Sequence, residues 1–483
     1  MSDAQPQQAE TYFAARKHIY QQSVRGRFRS IKWMLLIATL AVYYFLPFVR
    51  WDRGPNAPDQ AVLVDLAGRR FYFFFIELWP QEVYYLTGLL ILAALILFLM
   101  NAVAGRIWCG YLCPQTVWTD LFFAVERFFE GDRREHMRTD AGGLRKLTPM
   151  IAGRKAGKHF TWLMIAWWTG GAWVLYFADA PTLVWNLATL QAPAIAYIWI
   201  GILTLTTYLF AGWMREQVCI FLCPWPRIQA ALTDEDALNV TYRYDRGEPR
   251  MSVKAAEAVR GRGEPAGDCV DCLQCIAVCP TGVDIRDGFQ LGCIQCGLCI
   301  DACDNVMAKV GRPTGLIGYD TDNAIEARRR GEAPEYRLIR PRTILYIVSI
   351  ALVAGVMLFA LLGRSDMGLS AQHDRNPMYV TLSDGSIRNA YTLRIANKAL
   401  EQRTFRIEFF GPAGAAINAA GALQELGGRS ILVAVGPNRT HEVRAFVTAP
   451  RTGVTESHAA AAFRLTDVDS GRSVTVRDSF VGP

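Results

Sequence analysis

The stretch Cys269–Cys303 reads "CVDCLQCIAVCPTGVDIRDGFQLGCIQCGLCIDAC". The spacing C-x2-C-x2-C-x3-C occurs twice in it. Cys269, Cys272, Cys275 and Cys279 form the first run, closed by Pro280, and Cys293, Cys296, Cys299 and Cys303 form the second. This is the run that holds 4Fe–4S clusters in two-cluster ferredoxins. Three closely spaced thiolates wrap one cube, and the fourth is carried across to the other. The spacing therefore assigns Cys269, Cys272, Cys275 and Cys303 to one cluster, and Cys293, Cys296, Cys299 and Cys279 to the second. Gly282, Gly292 and Gly297 are expected to let the backbone approach the sulfurs. Asp304 stands where a second proline would, which alters a turn and not a ligand. Structural zinc prefers paired C-x2-C knuckles and accounts less well for four-cysteine runs.

The rest of the chain is not a soluble ferredoxin. Of its 483 residues 52% are hydrophobic and only 20% charged, and the apolar residues come in blocks. Five runs lack charge: Trp33–Val49, Val83–Gly105, Phe160–Ala178, a stretch within Ala180–Met214, and Thr343–Gly363. Each has about the 20 residues that a membrane-spanning helix needs. Tyr43, Tyr44, Trp79, Tyr84 and Trp213 sit near run ends, as interfacial aromatics do. The first run follows a long polar segment and precedes no small-residue cleavage site, so it reads as a retained span.

Lys and Arg set the orientation. Arg16, Lys17, Arg25, Arg27, Arg29 and Lys32 precede the first run. Arg106, Arg127, Arg133, Arg134, Arg138, Arg145, Lys146, Arg154, Lys155 and Lys158 lie between the second and third. The positive-inside rule then puts the N-terminus, the 106–159 loop and the 214–342 segment in the cytoplasm, and the tail outside. Arg50, Arg53, Arg69 and Arg70 in the first outer loop weaken the contrast without reversing it. The net charge of +7 is accordingly a topology signal, and nucleic acid is not an expected partner. The expected layout is a cytoplasmic segment (1–32), four helices with two C-x3-CP motifs (33–214) and a cytoplasmic two-cluster ferredoxin-like domain (215–342). A fifth span (343–363) and an all-β immunoglobulin-like sandwich outside (364–483) complete it.

All 12 cysteines fall on the side assigned to the cytoplasm, the opposite of a disulfide framework. Four lie outside the ferredoxin runs: Cys109 and Cys113 in "RIWCGYLCPQ", Cys219 and Cys223 in "QVCIFLCPWP". Each pair follows a span and ends in Cys-Pro. Proline pushes the residue before it out of helical geometry and suits the first turn of a new helix. Cys113 and Cys223 are thus expected N-caps with lowered thiol pKa. Apolar residues at 117, 121, 122, 125, 128 and 129 predict a helix lying on the membrane surface after Pro114. The duplicated span-plus-motif reads as an internal repeat that brings four thiols together, and soft thiolates select Cu(I), zinc or iron–sulfur. Small buried cysteines at helix turns are the plainer alternative.

Other chemistry is thinly represented. No C-x-x-C-H or Walker A sequence occurs, which leaves covalent haem and a nucleotide fold without support. The six His are scattered; only His159, opening the third run on the cysteine side, is placed to serve a site. Trp162, Met164, Trp167 and Trp168 read as packing, and Glu77 and Glu82 as part of an outer interfacial loop. In the tail, about seven short strands with turns at Asp384-Gly385 and Ser470-Gly471 predict a cysteine-free sandwich that serves as a docking surface.

With these residues in view, the chain resembles the CcoG/FixG (RdxA/RdxB) family of bacterial cytochrome c oxidase accessory proteins. The likeness rests on "RWDRGPNAPDQAVLVDLAGRRFYFFFIELWPQEVYYLTG", the doubled C-x3-CP motif, the tandem ferredoxin runs, the fifth span and the β-rich tail. The resemblance implies a protein of the bacterial inner membrane that helps to make a cbb3-type oxidase by reducing Cu(II) to Cu(I). Cys109, Cys113, Cys219 and Cys223 would be the copper-proximal thiols, and the eight ferredoxin cysteines would feed them electrons. The partners so implied are membrane lipid, a cytoplasmic electron donor, a copper chaperone or exporter, and oxidase assembly factors; homo-oligomerisation stays open. Two other classes compete: an electron-transfer module feeding a respiratory enzyme or the quinone pool without copper chemistry, and an assembly scaffold whose sandwich grips the oxidase.

Overall fold

The computed structural model describes residues 18–141, 148–420, 422–426, 428–454 and 456–483. Arg16, Lys17, Arg145 and Lys146 of the charge count lie outside them. The chain divides into two compact units, one made of residues 1–49 and 60–357, the other of 50–59 and 358–483.

The first unit opens with α1 (Arg27–Phe45) and the antiparallel meander β1 (Val62–Asp65), β2 (Arg70–Phe73) and β3 (Ile76–Leu78). Then follow α2 (Tyr84–Ala104), α3 (Ile107–Tyr111), α4 (Pro114–Glu130), α5 (Arg133–Ala141), α6 (Pro149–Val174), α7 (Ala180–Ala188), α8 (Ala194–Thr207) and, beyond it, α9 (Trp225–Leu232). The α8 helix continues through π-helical turns at Tyr208–Met214, and a second π-helical segment covers Val218–Leu222. Among the described residues four helical segments are long and apolar enough to cross a membrane: Arg27–Phe48, Pro80–Ala104, Ala194–Met214 and Pro341–Leu362. Residues 160–174 of the expected third run fall within α6, which stops at Val174 and carries Arg154, Lys155 and Lys158 in its first turns. By length and composition α6 is thus not one of the four. Beyond the charges in the opening turns of the first, second and last, the four are apolar all round and little buried, and Met34, Ile37, Leu90, Leu352 and Phe359 are exposed. That is the surface a helix presents to lipid.

A correction concerns α4. It does not bury only its apolar stripe. Trp118 Nε1 donates to Thr169 Oγ1 at 2.9 Å, Phe122 stacks on Trp162 with ring centroids 5.3 Å apart, and Glu130 meets Lys158 at 3.0 Å. These contacts lay α4 antiparallel along α6. The face turned inward carries Asp120, Glu126 and Glu130, whereas Phe128 is 82% exposed. The carboxylates tolerate burial because Arg29 (2.8 Å), Arg215 (2.9 Å) and Lys158 (3.0 Å) neutralise them, and a buried charge persists only when paired.

The cysteine-rich segment folds around a two-stranded ribbon, β4 (Asn239–Tyr242) antiparallel to β5 (Ile317–Asp320). Val240, Tyr242, Ile285, Ile300, Met307, Leu316 and Ile317 bury against it together with Cys269, Cys275 and Cys303.

The second unit is the expected sandwich with more strands than the sequence indicates. Its strands are β6 (Met367–His373), β7 (Val380–Thr381), β8 (Ile387–Asn397), β9 (Arg403–Phe410), β10 (Ala416–Ala419), β11 (Gln424–Leu426), β12 (Ser430–Val435), β13 (Arg439–Ala449), β14 (His458–Asp467) and β15 (Ser473–Val481). One sheet has the order β10-β13-β8-β6 with β7 paired to β8, the other β11-β12-β9-β14-β15. Period-two alternation places Phe405, Ile407 and Phe409 in the core while Arg406 and Glu408 point away, as a half-buried strand requires. The strands that escape sequence reading are β6, poor in β-branched residues, and β10 and β11, only 4 and 3 residues long.

Candidate metal centres

The two ferredoxin runs adopt one loop conformation twice. Asp271 and Leu273 have φ of 51° and 56°; Gln295 and Gly297, at matching positions, have 55° and 73°. Positive-φ residues on either side of Cys272 and of Cys296 bend the two loops in the same way, a feature shared with the backbone nests found around anionic clusters. After Leu273 begins the short helix Gln274–Ala277, and after Gly297 the helix Leu298–Lys309. The expected use of the glycines needs adjusting. An added Cβ at Gly282 would meet Ile19 and at Gly297 Phe28, and both have positive φ, so turn conformation and packing require them rather than the sulfurs.

Each loop faces its own cavity. One, of about 350 Å³, is lined by Cys269, Cys272, Cys275 and Cys303; the other, of about 370 Å³, by Cys279, Cys293, Cys296 and Cys299, with Cys275 at its edge. These sets are the two quartets drawn from the spacing. Burial, followed by neighbouring thiols, pushes the Cys293 and Cys303 thiols up to about 12 and also holds Cys299 well above the ordinary thiol value. Among the described residues no three of the thiol sulfurs lie within 4.8 Å of one another. A tetrahedral zinc ion would hold its sulfurs roughly 3.8 Å apart; thiols standing around a cavity suit a four-iron cube better. The donor set, the nests and the matched cavities fit 4Fe–4S clusters.

The two C-x3-CP motifs are structural repeats. Gly105 and Arg215, each four residues before the first cysteine, have φ/ψ of 53°/−125° and 44°/−113°. Cys113 and Cys223, each preceding proline, have −61°/127° and −77°/122°. Cys113 is the N-cap of α4, with Pro114 at its first position; Cys223 lies one residue outside the cap of α9, which is Pro224. Arg215 holds a backbone conformation that only glycine adopts freely, and it does so beside a π-helix, a feature common at functional sites.

The repeats embrace each other. Arg106 of the first motif donates to the Pro226 carbonyl at 2.6 Å, and Cys109 Sγ lies 3.4 Å from Gln229 Oε1 on α9. In return Gln115 on α4 donates to the Arg215 carbonyl at 3.2 Å, and Thr116 and Thr119 share a cavity with Cys219. Burial, then Cys113, pushes both the Cys109 and the Cys219 thiols up to about 12; Cys223 adds to each, and Glu216 adds to Cys219. Cys109 and Cys219 thus each stand within electrostatic reach of the other three thiols.

The first motif also packs on the second ferredoxin run. A Cβ on Gly110 would come within 2.8 Å of the Ile294 carbonyl and 3.0 Å of Cys296 Cα. Tyr111 OH donates to the Cys296 carbonyl at 3.0 Å, Arg106 to the Cys293 carbonyl at 3.2 Å, and the Arg106 N–H to Gln295 Oε1 at 2.7 Å. Cys109 itself packs on the cluster of Val278, Ile294, Cys296 and Leu298.

The remaining candidates have structural partners. His159 Nδ1 lies 2.9 Å from Tyr208 OH, Glu77 pairs with Arg70 at 3.1 Å, and Glu82 accepts the Trp79 N–H at 3.1 Å. Sequence reading missed Arg106, Gln229 and the carboxylates of α4. Arg106 and Asp120 were legible only as charges close to a cysteine motif. Glu126, Glu130 and His136 converge within 4.8 Å, with Lys158 and Arg215 already serving as counter-ions.

Paired thiol-lined cavities on a chain with several span-length apolar helices define an iron–sulfur redox protein suited to a membrane. Family models agree: residues 214–322 match a 4Fe–4S dicluster domain, 86–131 a 4Fe–4S binding domain, and 357–483 the Ig-like fold at the C-terminus of FixG. The chain belongs to the FixG/RdxA/RdxB family. It is 49% identical to the nitrogen fixation protein FixG of Rhizobium meliloti, covering 91% of this chain and 88% of that one. It is 48% identical to RdxA of Cereibacter sphaeroides (96% of both chains) and 48% identical to RdxB of the same organism (92% and 91%).

Proposed function

We propose that this chain is a membrane electron-transfer protein that assists the making of a cbb3-type cytochrome c oxidase by reducing Cu(II) to Cu(I) at Cys109, Cys113, Cys219 and Cys223. The observation that carries the reading is the contact of Gly110 with the Ile294–Cys296 backbone, which sets the thiol site directly against a cluster loop. Cys269, Cys272, Cys275 and Cys303 hold one 4Fe–4S cluster, and Cys279, Cys293, Cys296 and Cys299 the other. Bound clusters supply one-electron transfer. Cu(II) gains one electron at the thiol site, and the Cu(I) formed is the state that thiolates favour. Arg106 and Tyr111 hold the site on the cluster loop; Gln229 and Gln115 hold its two arms together.

The Lys and Arg distribution supports a cytoplasmic cluster domain and a sandwich outside, with α6 taken as a span in addition to the four longer apolar segments. The reductant is then a cytoplasmic donor, and Cu(I) leaves to a chaperone or exporter serving oxidase assembly.

The test is anaerobic. Cluster-reduced protein in detergent receives Cu(II) while cluster bleaching and Cu(I) are followed together, beside the Cys109→Ser/Cys219→Ser variant. The expected result is Cu(I) formation coupled to cluster reoxidation and lost in the variant, with its clusters intact. Equal reoxidation in both would mean that copper merely oxidises an exposed ferredoxin, and the copper-free electron-transfer module would replace this reading.

A further inference from the structure

The two motif arms differ at one matched position. Arg106 directly follows Gly105, and Glu216 directly follows Arg215. Arg106 is clamped onto the carbonyls of Pro226 and Cys293. Glu216 has no such role. Its carboxylate is buried, with 5% of the residue exposed, and its hydrogen-bond partner is the neighbouring Gln217 side chain at 3.1 Å. Among the described residues no lysine, arginine or histidine nitrogen stands within ion-pairing distance of it. The nearby cations are engaged elsewhere: Arg215 by Glu126 at 2.9 Å, Lys32 by Asp120 at 3.8 Å.

A buried carboxylate without a counter-ion is costly unless a cation arrives. Glu216 lines a cavity of about 320 Å³ together with Cys219, Thr116, Asp120, Lys32 and Thr281. Glu216 stands just before the π-helical segment Val218–Leu222 that carries Cys219, and both residues line this cavity. A carboxylate oxygen and a thiolate differ in softness: oxygen suits divalent ions, and thiolate suits Cu(I).

We propose that Glu216 is the oxygen ligand that receives a divalent metal ion beside Cys219, and that it takes no part in holding the monovalent ion. This deepens the copper reading above and rests on it. A divalent ion is held by the Glu216 carboxylate and the Cys219 sulfur; a monovalent one needs only the thiols. The asymmetry of the repeat thus separates the arm that docks the cluster domain from the arm that admits cargo.

The test uses the full-length holoprotein in detergent under anaerobic conditions, with Co(II) as a divalent probe that thiols do not reduce. Co(II) binding is read by equilibrium dialysis and metal analysis, and Cu(I) binding by competition with a chromogenic chelator. In Glu216→Gln, Co(II) affinity should fall by about tenfold or more, the scale of losing a group at a metal site. Cu(I) affinity should stay within about threefold, and Glu216→Asp should recover part of the Co(II) binding. Cys219→Ser should weaken both ions. Unchanged Co(II) binding in Glu216→Gln, with both ions weakened in Cys219→Ser, would overturn the inference and leave the thiol site standing. Unchanged binding of both ions in Cys219→Ser would overturn the thiol-site reading itself. Equal loss of both ions in Glu216→Gln, with iron content intact, would make Glu216 a structural support and also overturn the inference.

Discussion

Asp301, between the cluster cysteines Cys299 and Cys303, accepts the backbone N–H of Arg29 with its Oδ2 at 2.8 Å. Its Oδ1 takes the Phe28 N–H at 3.1 Å. The cluster helix thereby caps the start of α1, where free N–H groups would otherwise lack partners. Asp301→Ala should cost about 1–2 kcal/mol, the usual worth of a cap. Hydrogen exchange of residues 26–32 should speed up while iron content stays unchanged, and Asp301→Asn should retain most of the protection. Unaltered exchange in the alanine variant would show that the cap contributes nothing to docking.

Gly110 sits where a side chain has no room. In Gly110→Ala the new methyl would press on the Ile294 carbonyl, and the motif would have to lift from the cluster loop. Both clusters should remain, because the new methyl meets backbone atoms of Ile294 and Cys296 and replaces no thiol. Reoxidation of the clusters by Cu(II) should slow by about tenfold or more, since displacements near 1 Å are that costly to transfer geometry. Stopped-flow bleaching near 400 nm measures it, and a wild-type rate would separate the contact from electron flow.

The crossing of the fourth ligand makes a further prediction. Cys279 closes the first run in sequence but lines the cavity of the second, and Cys303 closes the second but lines the cavity of the first. Cys303→Ser should disturb the cluster held by Cys269, Cys272 and Cys275, and Cys279→Ser the other. Each variant should fall from about eight irons toward about four, with different electron paramagnetic resonance signals surviving. The same signal surviving in both would refute the crossing.

Glu130 carries the pH dependence. Burial opposes its ionisation, but hydrogen bonds from His136 and Lys158 outweigh that and hold its carboxyl at about 2. A carboxyl depressed on folding contributes stability above its unfolded value of about 4.5, and loses that contribution as pH falls toward about 2. A shift of this size corresponds to about 3 kcal/mol. Glu130→Gln should therefore loosen the α4–α6 packing by a constant amount from pH 7 down to about 5, and by less below that. Hydrogen exchange of 114–140 across this range is the measurement. A difference that grows on acidification would contradict the assignment.

Much of this architecture was legible in single segments. The cluster loops follow from cysteine spacing, because ligands of one cube must lie a few residues apart. The span-length helices follow from run length, and β8, β9, β13 and β14 from period-two alternation. The backbone of both C-x3-CP motifs follows from proline acting on the residue before it. These are short-range constraints, and the chain carries them locally. The run from residue 160 joins the charged turns at 154–158 in one helix, α6, and run length alone did not show that junction. In α4 the apolar periodicity pointed to a helix lying on the membrane surface, since acids are read as solvent-facing.

Only the tertiary structure decided which charges are buried and what they meet. Asp120, Glu126 and Asp301 find their partners 91, 89 and 272 residues away, distances at which no periodicity encodes a contact. The seating of Gly110 on Ile294, and the Glu216 carboxylate without an ion pair among the described residues, arise in the same way. A buried charge is stable or unstable according to what surrounds it in space, and that neighbourhood exists only once the segments have packed.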